Sequence, residues 1–289
     1  MAVGDFTRIN TNIGALNALN SLKGVQKELG LHQLRLATGK RINEAADDPA
    51  GLTIATKFQY RANGLGVALD NIGDAKNMMA VAEGGLTKIK DILVQMRAKA
   101  EQAASDTLGA DERAAIGTQL SDFAKEIDAI VNTTKWNGML LLDGLSSFGS
   151  QVTFQVGADT GTDDVVTLLA SDFGSVSTAG LSIDSGITIS SASTASDAQG
   201  VMSKLDTAIA TVSGRLQTSG SLVARLNYRE ETLTTAKVNV EAAYSRIMDA
   251  DMAYEQLEAT KYQILQQTAT AMLAQANTAP QNILSLFRG

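Results

Sequence analysis

The chain has 289 residues, of which 44% are hydrophobic and 19% are charged, and its formal net charge is −7 at pH 7. This length suffices for one large domain or two ordinary ones, while the negative charge and the lack of any Lys/Arg-rich run argue against a nucleic-acid binder. Because the chain has no cysteine, disulfides, thiol catalysis and cysteine-type zinc sites are excluded.

The N-terminal stretch MAVGDFTRINTNIGALNALN lacks the basic segment followed by an apolar segment that marks a secretory signal peptide. No run approaches 18 apolar residues, so no segment is expected to span a membrane. Taken alone, these two observations predict a cytoplasmic protein.

The first predicted helix is apolar on two nearly opposite sides. One face holds the residues Ile9, Ile13, Leu16, Leu31 and Leu34, and the other holds Leu22, Val25, Leu29 and Leu36. A small monomer cannot bury both faces of one helix. The pattern therefore predicts packing partners on each side.

A carboxylate-rich turn at residues 40–50 interrupts the helical pattern. Asp48 is placed to N-cap a helix that begins at Pro49, where the missing N–H of proline costs least. We interpret this turn as a joint between two separately packed helical units. A cation site built from Glu44, Asp47 and Asp48 is the alternative, and capping is favoured over it.

A nearly unbroken heptad follows over residues 54–103, interrupted only at Arg61. Its apolar positions are Ile54, Phe58, Leu65, Ala68, Ile72, Ala75, Met79, Ala82, Leu86, Ile89, Leu93, Met96, Ala100 and Ala103. This spacing predicts a single helix about 75 Å long that packs lengthwise on partners. A shorter helix is predicted next, with Asp111 as its N-cap and the apolar residues Ile116, Leu120, Phe123, Ile127 and Ile130.

The period of the apolar residues then changes from 3.5 residues to 2 residues. KWNGMLLLDG contains the turn signal Asn137-Gly138, QVTFQVG alternates in the manner of a strand, and VVTLL is the candidate returning strand. GADTGTDD lies between these last two segments, and a hairpin turn is favoured there over a calcium loop because the ligand spacing of an EF-hand is missing. Residues 138–190 are therefore predicted to form a small β-region with loops.

Helical periodicity returns from about residue 198. The seam comprises Val201, Leu205, Ala208 and Val212, then, after a shift, Leu216, Val223, Leu226, Leu233 and Val240, and finally Ala243, Ile247, Ala250, Tyr254, Leu257 and Ile264. Asp249 and Asp251 are placed within this helix, and Pro280 is expected to stop it. The predicted fold is mainly α, with a long coiled-coil-like helical bundle from both chain ends and a small central β-hairpin region.

Residues with obvious chemistry are sparse. The single histidine, His32, lies in a helical pattern between Leu29 and Leu36, which favours a partly buried or interfacial histidine over a ligand or a catalytic base. No phosphate-binding loop, nucleophile elbow or dinucleotide fingerprint occurs. The remaining classes are a self-assembling structural protein, a helical adaptor or chaperone, and an enzyme with a dispersed site. The two-sided terminal helix favours the first.

Long ordered stretches at both ends resemble bacterial flagellin. They are INTNIGALNALNSL and LATGKRINEAADDPAGLTIATKF near the start, NTTKWNGMLLLDG before the β-region, and AAYSRIMDADMAYEQLEATKYQILQQTATAMLAQANTAPQNILSLFRG at the end. The resemblance implies a subunit that polymerises into the flagellar filament, with no enzymatic activity, no cofactor and no metal. The alternative within the superfamily is the flagellin-like hook–filament junction protein, which the ending AMLAQANTAPQNILSLFR disfavours.

The resemblance also implies a layered organisation. Residues 1–44 and 245–289 would form the innermost coiled-coil layer, and residues 45–244 a second layer of helical bundle plus β-hairpin, joined by a spoke joint at Asp47, Asp48 and Pro49. Large outer domains are expected to be absent or vestigial. The residues expected to drive assembly of the inner layer are Ile9, Ile13, Leu16, Leu22, Val25, Leu29, Ile247, Tyr254, Leu257, Ile264, Leu284 and Leu286.

The partners that the resemblance implies are other copies of the chain, the hook-associated junction and cap proteins, and an export chaperone at the C-terminal segment, with no nucleic acid and no membrane. It also reverses the predicted location, because flagellins leave the cell unfolded through the flagellar type III apparatus. The expected location is therefore secreted, in the extracellular flagellum. Ends that fold only on assembly and a chain without cysteine are compatible with that route.

Many flagellins activate a toll-like receptor through a patch on the second-layer helices. In the family pattern this patch has an Arg and a Leu on the long helix and a Glu on the next one. Alignment of EGGL and EIDAIVN places these positions at Gln95, Lys99 and Gln119, all of which depart from the pattern. Weak or absent receptor activation is therefore expected.

Overall fold

The computed structural model describes residues 11–145, 149, 151–169, 174–183, 189–190 and 193–286, with side chains through residue 278. Within these residues, the helices are α1 (Ile13–Thr38), α2 (Pro49–Ala103), α3 (Ala110–Thr133), α4 (Ala195–Met248) and α5 (Met252–Leu286). The strands β1 (Lys135–Trp136) and β2 (Met139–Leu140) form one antiparallel hairpin, and β3 (Gln151–Gln155) and β4 (Val165–Leu169) form another. The predicted mainly α fold with a central β-hairpin region is confirmed.

The chain divides into two compact units. The terminal unit comprises Met1–Tyr60 and Asn239–Gly289, and the central unit comprises Arg61–Val238. The helices α2 and α4 each contribute residues to both units. The layer boundaries predicted at residues 44 and 244 refer to a filament, and they stay a prediction.

The core of the central unit follows the predicted seam of α2. From Leu65 to Ala103, every predicted seam residue after Arg61 is at most 3% exposed. Alanines recur among these positions, and their small side chains allow neighbouring elements to approach closely. Leu120 and Ile127 of α3 and Leu205 and Val212 of α4 are fully buried in the same core.

The seam prediction is wrong at its first position. Ile54 is 47% exposed, whereas its neighbour Ala55 is buried against Ile42 and Met248. The reason is that residues 49–60 of α2 belong to the terminal unit. There a different set of partners selects which face of the helix is buried, so the heptad does not extend into it.

The start of α3 also differs from the prediction. The N-cap is Gly109, not Asp111, and the Glu112 carboxylate accepts a hydrogen bond from the Gly109 N–H at 2.7 Å. The Glu112 carboxylate thus gives the N–H of the N-cap residue a hydrogen-bond partner, and the helix begins earlier than predicted. Asp111 instead lies in the first turn, where a negative charge favours the positive end of the helix dipole.

Both predicted turns of the β-region are present. Asn137 and Gly138 have φ values of 49° and 81°, the two left-handed residues that a tight hairpin requires, although the hairpin already begins at Lys135. The strands β3 and β4 pair from Gln151 opposite Leu169 to Gln155 opposite Val165, joined by the loop that contains residues 159–164. Residues 146–148, 150, 170–173 and 184–188 of the predicted β-region lie outside the described residues.

Two predictions about the C-terminal helices are wrong. Asp249 and Asp251 do not lie within a helix, because α4 ends at Met248 and Asp251 caps α5 by accepting hydrogen bonds from the Ala253 and Tyr254 N–H groups. Pro280 does not stop α5, which continues to Leu286. A proline removes one helical hydrogen bond. Here the carbonyl that loses its partner is that of Ala276, and it accepts a hydrogen bond from the Asn12 side chain instead.

Across the described ranges, none of the helices is long and apolar enough to cross a membrane.

Candidate functional site

The helices α1 and α5 pack along each other in the terminal unit. Leu29 is buried in this pair, and Leu22 and Val25 on the same face of α1 are half-buried. One of the two apolar faces predicted for α1 is therefore covered by α5 within the same chain. On the opposite face, Ile13, Leu16 and Leu34 are exposed.

A buried polar cluster lies at the inner face of this helix pair. His32 Nδ1 lies 2.5 Å from Glu255 Oε2, and Arg35 Nη1 donates to Glu255 Oε1 at 3.4 Å. The His32 ring stacks on Tyr262 with the ring centroids 5.2 Å apart. A buried carboxylate is tolerated only when it is paired and hydrogen-bonded, so these contacts fix the register of α1 on α5.

A second polar contact joins the far end of the pair. The Asn12 side chain caps α1, because its Oδ1 accepts a hydrogen bond from the Ala15 N–H at 3.0 Å. Its Nδ2 donates to the Ala276 carbonyl of α5 at 2.8 Å. One amide side chain thus satisfies a backbone donor on α1 and a backbone acceptor on α5.

Between these two contacts the helices leave an apolar groove with a volume of about 420 Å³. Small residues on α1 create the space, and larger side chains of α5 form the other wall. The lining comprises Gly14, Asn17, Ala18, Ser21, Val25, Leu265, Thr268, Ala269 and Met272.

Large apolar side chains remain exposed on both helices of the pair. On α1 these are Ile13, Leu16, Leu19 and Leu34, and on α5 they are Met252, Tyr254, Leu257, Ile264, Leu265 and Met272. Single exposed apolar residues are ordinary, but a set concentrated on one helix pair marks an interaction surface. We call this set the terminal apolar surface.

The two turns next to the helix pair are joined to each other. Arg41 N–H donates to the Met248 carbonyl at 2.6 Å, and Ala250 N–H donates to the Gly39 carbonyl at 2.9 Å. The Arg41 guanidinium also donates to the Ile247 carbonyl. Gly39 ends α1 with a φ of 69°, a left-handed conformation that glycine adopts at little cost. We call residues 39–41 and 247–250 the paired turns.

The predicted spoke joint follows the paired turns. Asp48 Oδ1 accepts a hydrogen bond from the Gly51 N–H at 2.8 Å, and α2 begins at Pro49, which confirms the predicted cap. The Asp47 carboxylate accepts from the Asn43 and Glu44 N–H groups, and these hydrogen bonds lower the pKa of Asp47 below its usual value. Both acidic side chains thus organise the backbone of the turn.

The structure distributes the predicted assembly residues over both sides of the helix pair. Ile13, Leu16, Tyr254, Leu257 and Ile264 are exposed, Leu22, Val25 and Ile247 are half-buried, and Leu29 is buried. Ile9 lies outside the described residues. Leu284 and Leu286 are in α5, but their side chains lie outside the described part of the chain.

The predicted receptor-patch residues are placed on the central unit. Gln95 on α2 and Gln119 on α3 are exposed, and Lys99 on α2 is half-buried, with its Nζ 3.4 Å from Gln102 Oε1. These positions are accessible for contact with a partner. Their role stays a prediction.

Two residues of the helix pair, Asn12 and Glu255, are not predicted by the sequence pattern. His32 was predicted to be partly buried or interfacial and is 7% exposed, which confirms burial, but its partner was not identified. Glu255 is one of two glutamates in the first turns of α5, and the apolar spacing did not distinguish it from Glu258. Among the described residues, no cluster of acidic and histidine side chains is suited to hold a metal ion.

Comparison with known proteins assigns the family. Residues 9–147 match the bacterial flagellin N-terminal helical region, and residues 202–287 match the bacterial flagellin C-terminal helical region. A flagellin of Bacillus subtilis is 35% identical, with 97% of this chain and 100% of that protein covered. Flagellin FlaB1 of Treponema pallidum is 33% identical, with 97% and 99% covered.

A solved structure shares the fold. The putative flagellar hook-associated protein from Vibrio parahaemolyticus has a TM-score of 0.58 and 17% sequence identity, and the match covers 70% of this chain and 100% of that chain. At this identity the likeness concerns the fold alone. The relatives named flagellin match over nearly their whole length, so they do not favour the junction-protein alternative. The chain therefore belongs to the bacterial flagellin family and is a structural subunit of the flagellar filament.

Proposed function

We propose that the terminal apolar surface is the surface through which copies of this chain polymerise. The observation that carries the proposal is the exposure of Leu16, Leu257 and Ile264, at 50%, 62% and 57%, on two helices that already pack on each other. Burying such side chains against a neighbour contributes about 1.5–3 kcal/mol each. The open face of α1 and the outer face of α5 are then the contacts made between subunits.

Folding of the chain ends is coupled to this assembly. The terminal unit pairs two helices and leaves large apolar side chains uncovered, so in a free monomer little burial offsets the entropy of ordering them. In this proposal residues 1–44 and 245–289 order only when neighbouring copies cover them. They form the innermost layer, residues 45–244 form the second layer, and Asp47, Asp48 and Pro49 connect the two.

Limited proteolysis of the monomer tests the coupling. A protease should trim both ends to a fragment near residues 45–244, and this fragment should not polymerise. Filaments of the full chain should protect the same ends. Resistant ends in the monomer would contradict the proposal.

A pair of charge substitutions tests the surface itself. Leu257→Asp places a carboxylate in the proposed contact and should prevent filament formation in kosmotropic salt, as seen by electron microscopy. Gln267→Asp adds the same charge at an exposed polar position of the same helix and should still polymerise. Filament formation by Leu257→Asp equal to wild type would exclude this surface.

The location and further partners belong to the same proposal. A filament subunit acts outside the cell, so we propose that the chain is exported and assembles in the extracellular flagellum. Its partners are then other copies of itself, the hook-associated junction and cap proteins, and an export chaperone that holds the C-terminal segment before assembly. The lack of cysteine supports passage through a narrow channel, because no disulfide can lock the chain in transit.

A further inference from the structure

The hydrogen bond between Asn12 and Ala276 lies four residues before a proline of α5, and this proline affects the Ala276 carbonyl. In an α-helix the N–H of each residue donates to the carbonyl four residues earlier. Position 280 is proline, which has no N–H, so the Ala276 carbonyl lacks the donor that it would ordinarily have four residues later in the helix. This is the carbonyl to which Asn12 Nδ2 donates at 2.8 Å.

We propose that Asn12, Ala276 and Pro280 form a terminal latch that makes the first turn of α1 and the last turns of α5 fold together. Pro280 supplies the latch with a free acceptor in the middle of a helix. The Asn12 Nδ2 group donates a hydrogen bond to this carbonyl, and the Oδ1 atom of the same side chain caps α1. The latch goes beyond the filament function, because it concerns how one chain couples its own two ends.

The chemistry of the latch requires asparagine. The side chain must present an acceptor oxygen to the Ala15 N–H and a donor N–H to the Ala276 carbonyl at the same time. Aspartate and serine cap helices as well as asparagine does. Aspartate, however, has no donor, and the hydroxyl of serine is too short to serve both helices, so neither residue replaces asparagine in the latch.

The latch also explains why α5 continues through Pro280. A half-buried carbonyl without a hydrogen-bond partner destabilises the fold, because it has lost hydration without gaining a donor. The Asn12 amide removes that cost, and its own position depends on α5 being helical as far as Ala276. The Asn12 side chain therefore links the start of α1 to the end of α5, across 264 residues of sequence.

A double-mutant cycle on full-length filaments tests the latch. The quantity measured is the critical concentration, the monomer concentration in equilibrium with filament. In the wild-type background, Asn12→Asp and Asn12→Ser should each raise it by about 5- to 30-fold, because the Ala276 carbonyl loses its partner. Pro280→Ala restores an N–H that donates to this carbonyl, so in that background the same two substitutions should raise it by less than about 3-fold.

A control separates the latch from general effects on the inner layer. Asn20→Asp adds the same charge on an exposed position of α1, and its effect should be equal in the two backgrounds. If Asn12→Asp or Asn12→Ser prevents polymerisation, then recovery of filaments on adding Pro280→Ala supports the latch, and failure to recover overturns it. Equal effects of the Asn12 substitutions with and without Pro280, or no effect at all, overturn it as well.

Discussion

Glu255 holds His32 at 2.5 Å across 223 residues of sequence, and both side chains are buried. Arg35 reaches the second oxygen of the same carboxylate. The carboxylate of one α5 residue, Glu255, is thus hydrogen-bonded to two side chains of α1 that lie one turn apart. This arrangement allows only one register of the two helices, because a slip by one residue would leave buried polar groups unpaired.

Removal of this carboxylate should destabilise the terminal unit strongly. Glu255→Ala leaves the buried His32 and the half-buried Arg35 without their acceptor, and we expect a loss of about 3 kcal/mol. The measurement is the thermal midpoint of filament depolymerisation. Glu258→Ala, one turn later on α5, removes a carboxylate whose partner Lys261 is exposed and should cost less than about 1 kcal/mol. Equal losses for the two variants would contradict the role given to Glu255.

The buried seam of α2 gives a second prediction, in the central unit. Ile89 is fully buried, so Ile89→Asp forces an unpaired carboxylate into the core and should lower the free energy of unfolding of the monomer by about 3–5 kcal/mol. Val94→Asp, on the exposed side of the same helix, should change it by less than about 0.5 kcal/mol. Thermal or urea unfolding followed by circular dichroism measures both. A wild-type midpoint for Ile89→Asp would exclude this face as core.

A glycine of α3 gives a third prediction with an unusual sign. Replacing glycine by alanine inside a helix ordinarily stabilises it by about 0.5–1 kcal/mol. Gly117 is buried, and a Cβ at this position would overlap with the carbonyl oxygen of Ile189. Gly117→Ala should therefore destabilise the monomer by about 1–3 kcal/mol.

The comparison variant is Gly84→Ala on α2. Gly84 is exposed, and a Cβ there would meet no atom within 4 Å. The ordinary stabilisation should be observed in the same unfolding experiment. Stabilisation by both substitutions would show that residue 189 does not lie against α3.

The receptor patch gives a fourth prediction, which rests on the family pattern. Gln95, Lys99 and Gln119 lack the two charges and the apolar contact of that pattern, and charge-assisted hydrogen bonds are about twice as strong as neutral ones. Monomer should therefore activate the toll-like receptor weakly or not at all in a reporter-cell assay. Gln95→Arg combined with Lys99→Leu should restore part of the response. Potency equal to that of an activating flagellin would contradict the prediction.

The sequence predicted features that depend on a repeated local pattern. The α2 seam from Leu65 to Ala103 could be predicted because every turn presents the same face to one core, so the period alone identifies the buried residues. The Asn137-Gly138 hairpin and the Asp48 cap could be predicted because a single residue type sets the local backbone. In each case the signal and its structural effect lie within a few residues of each other.

The features that were missed depend on partners distant in sequence. Proline weakens a helix, and this effect can be predicted from the local sequence. The hydrogen bond from Asn12, which offsets the one lost at Ala276, comes from the other end of the chain and cannot be predicted in that way. The break at residues 249–251 was missed because Ala250 continues the apolar spacing across it. What ends α4 there is the backbone pairing with Gly39 and Arg41, and no periodicity along one segment reveals such a pairing.

The paired turns have a mechanical consequence for a filament that rotates in a viscous medium. The chain leaves α1 at Gly39 and enters α5 after Ala250, and these two passages are hydrogen-bonded to each other through Ala250 and Arg41. A tensile force that draws either terminal helix away from its turn therefore acts on two polypeptide backbones in parallel. Neither turn can straighten alone without breaking its hydrogen bonds to the other, so the connection resists stretching better than two independent linkers would.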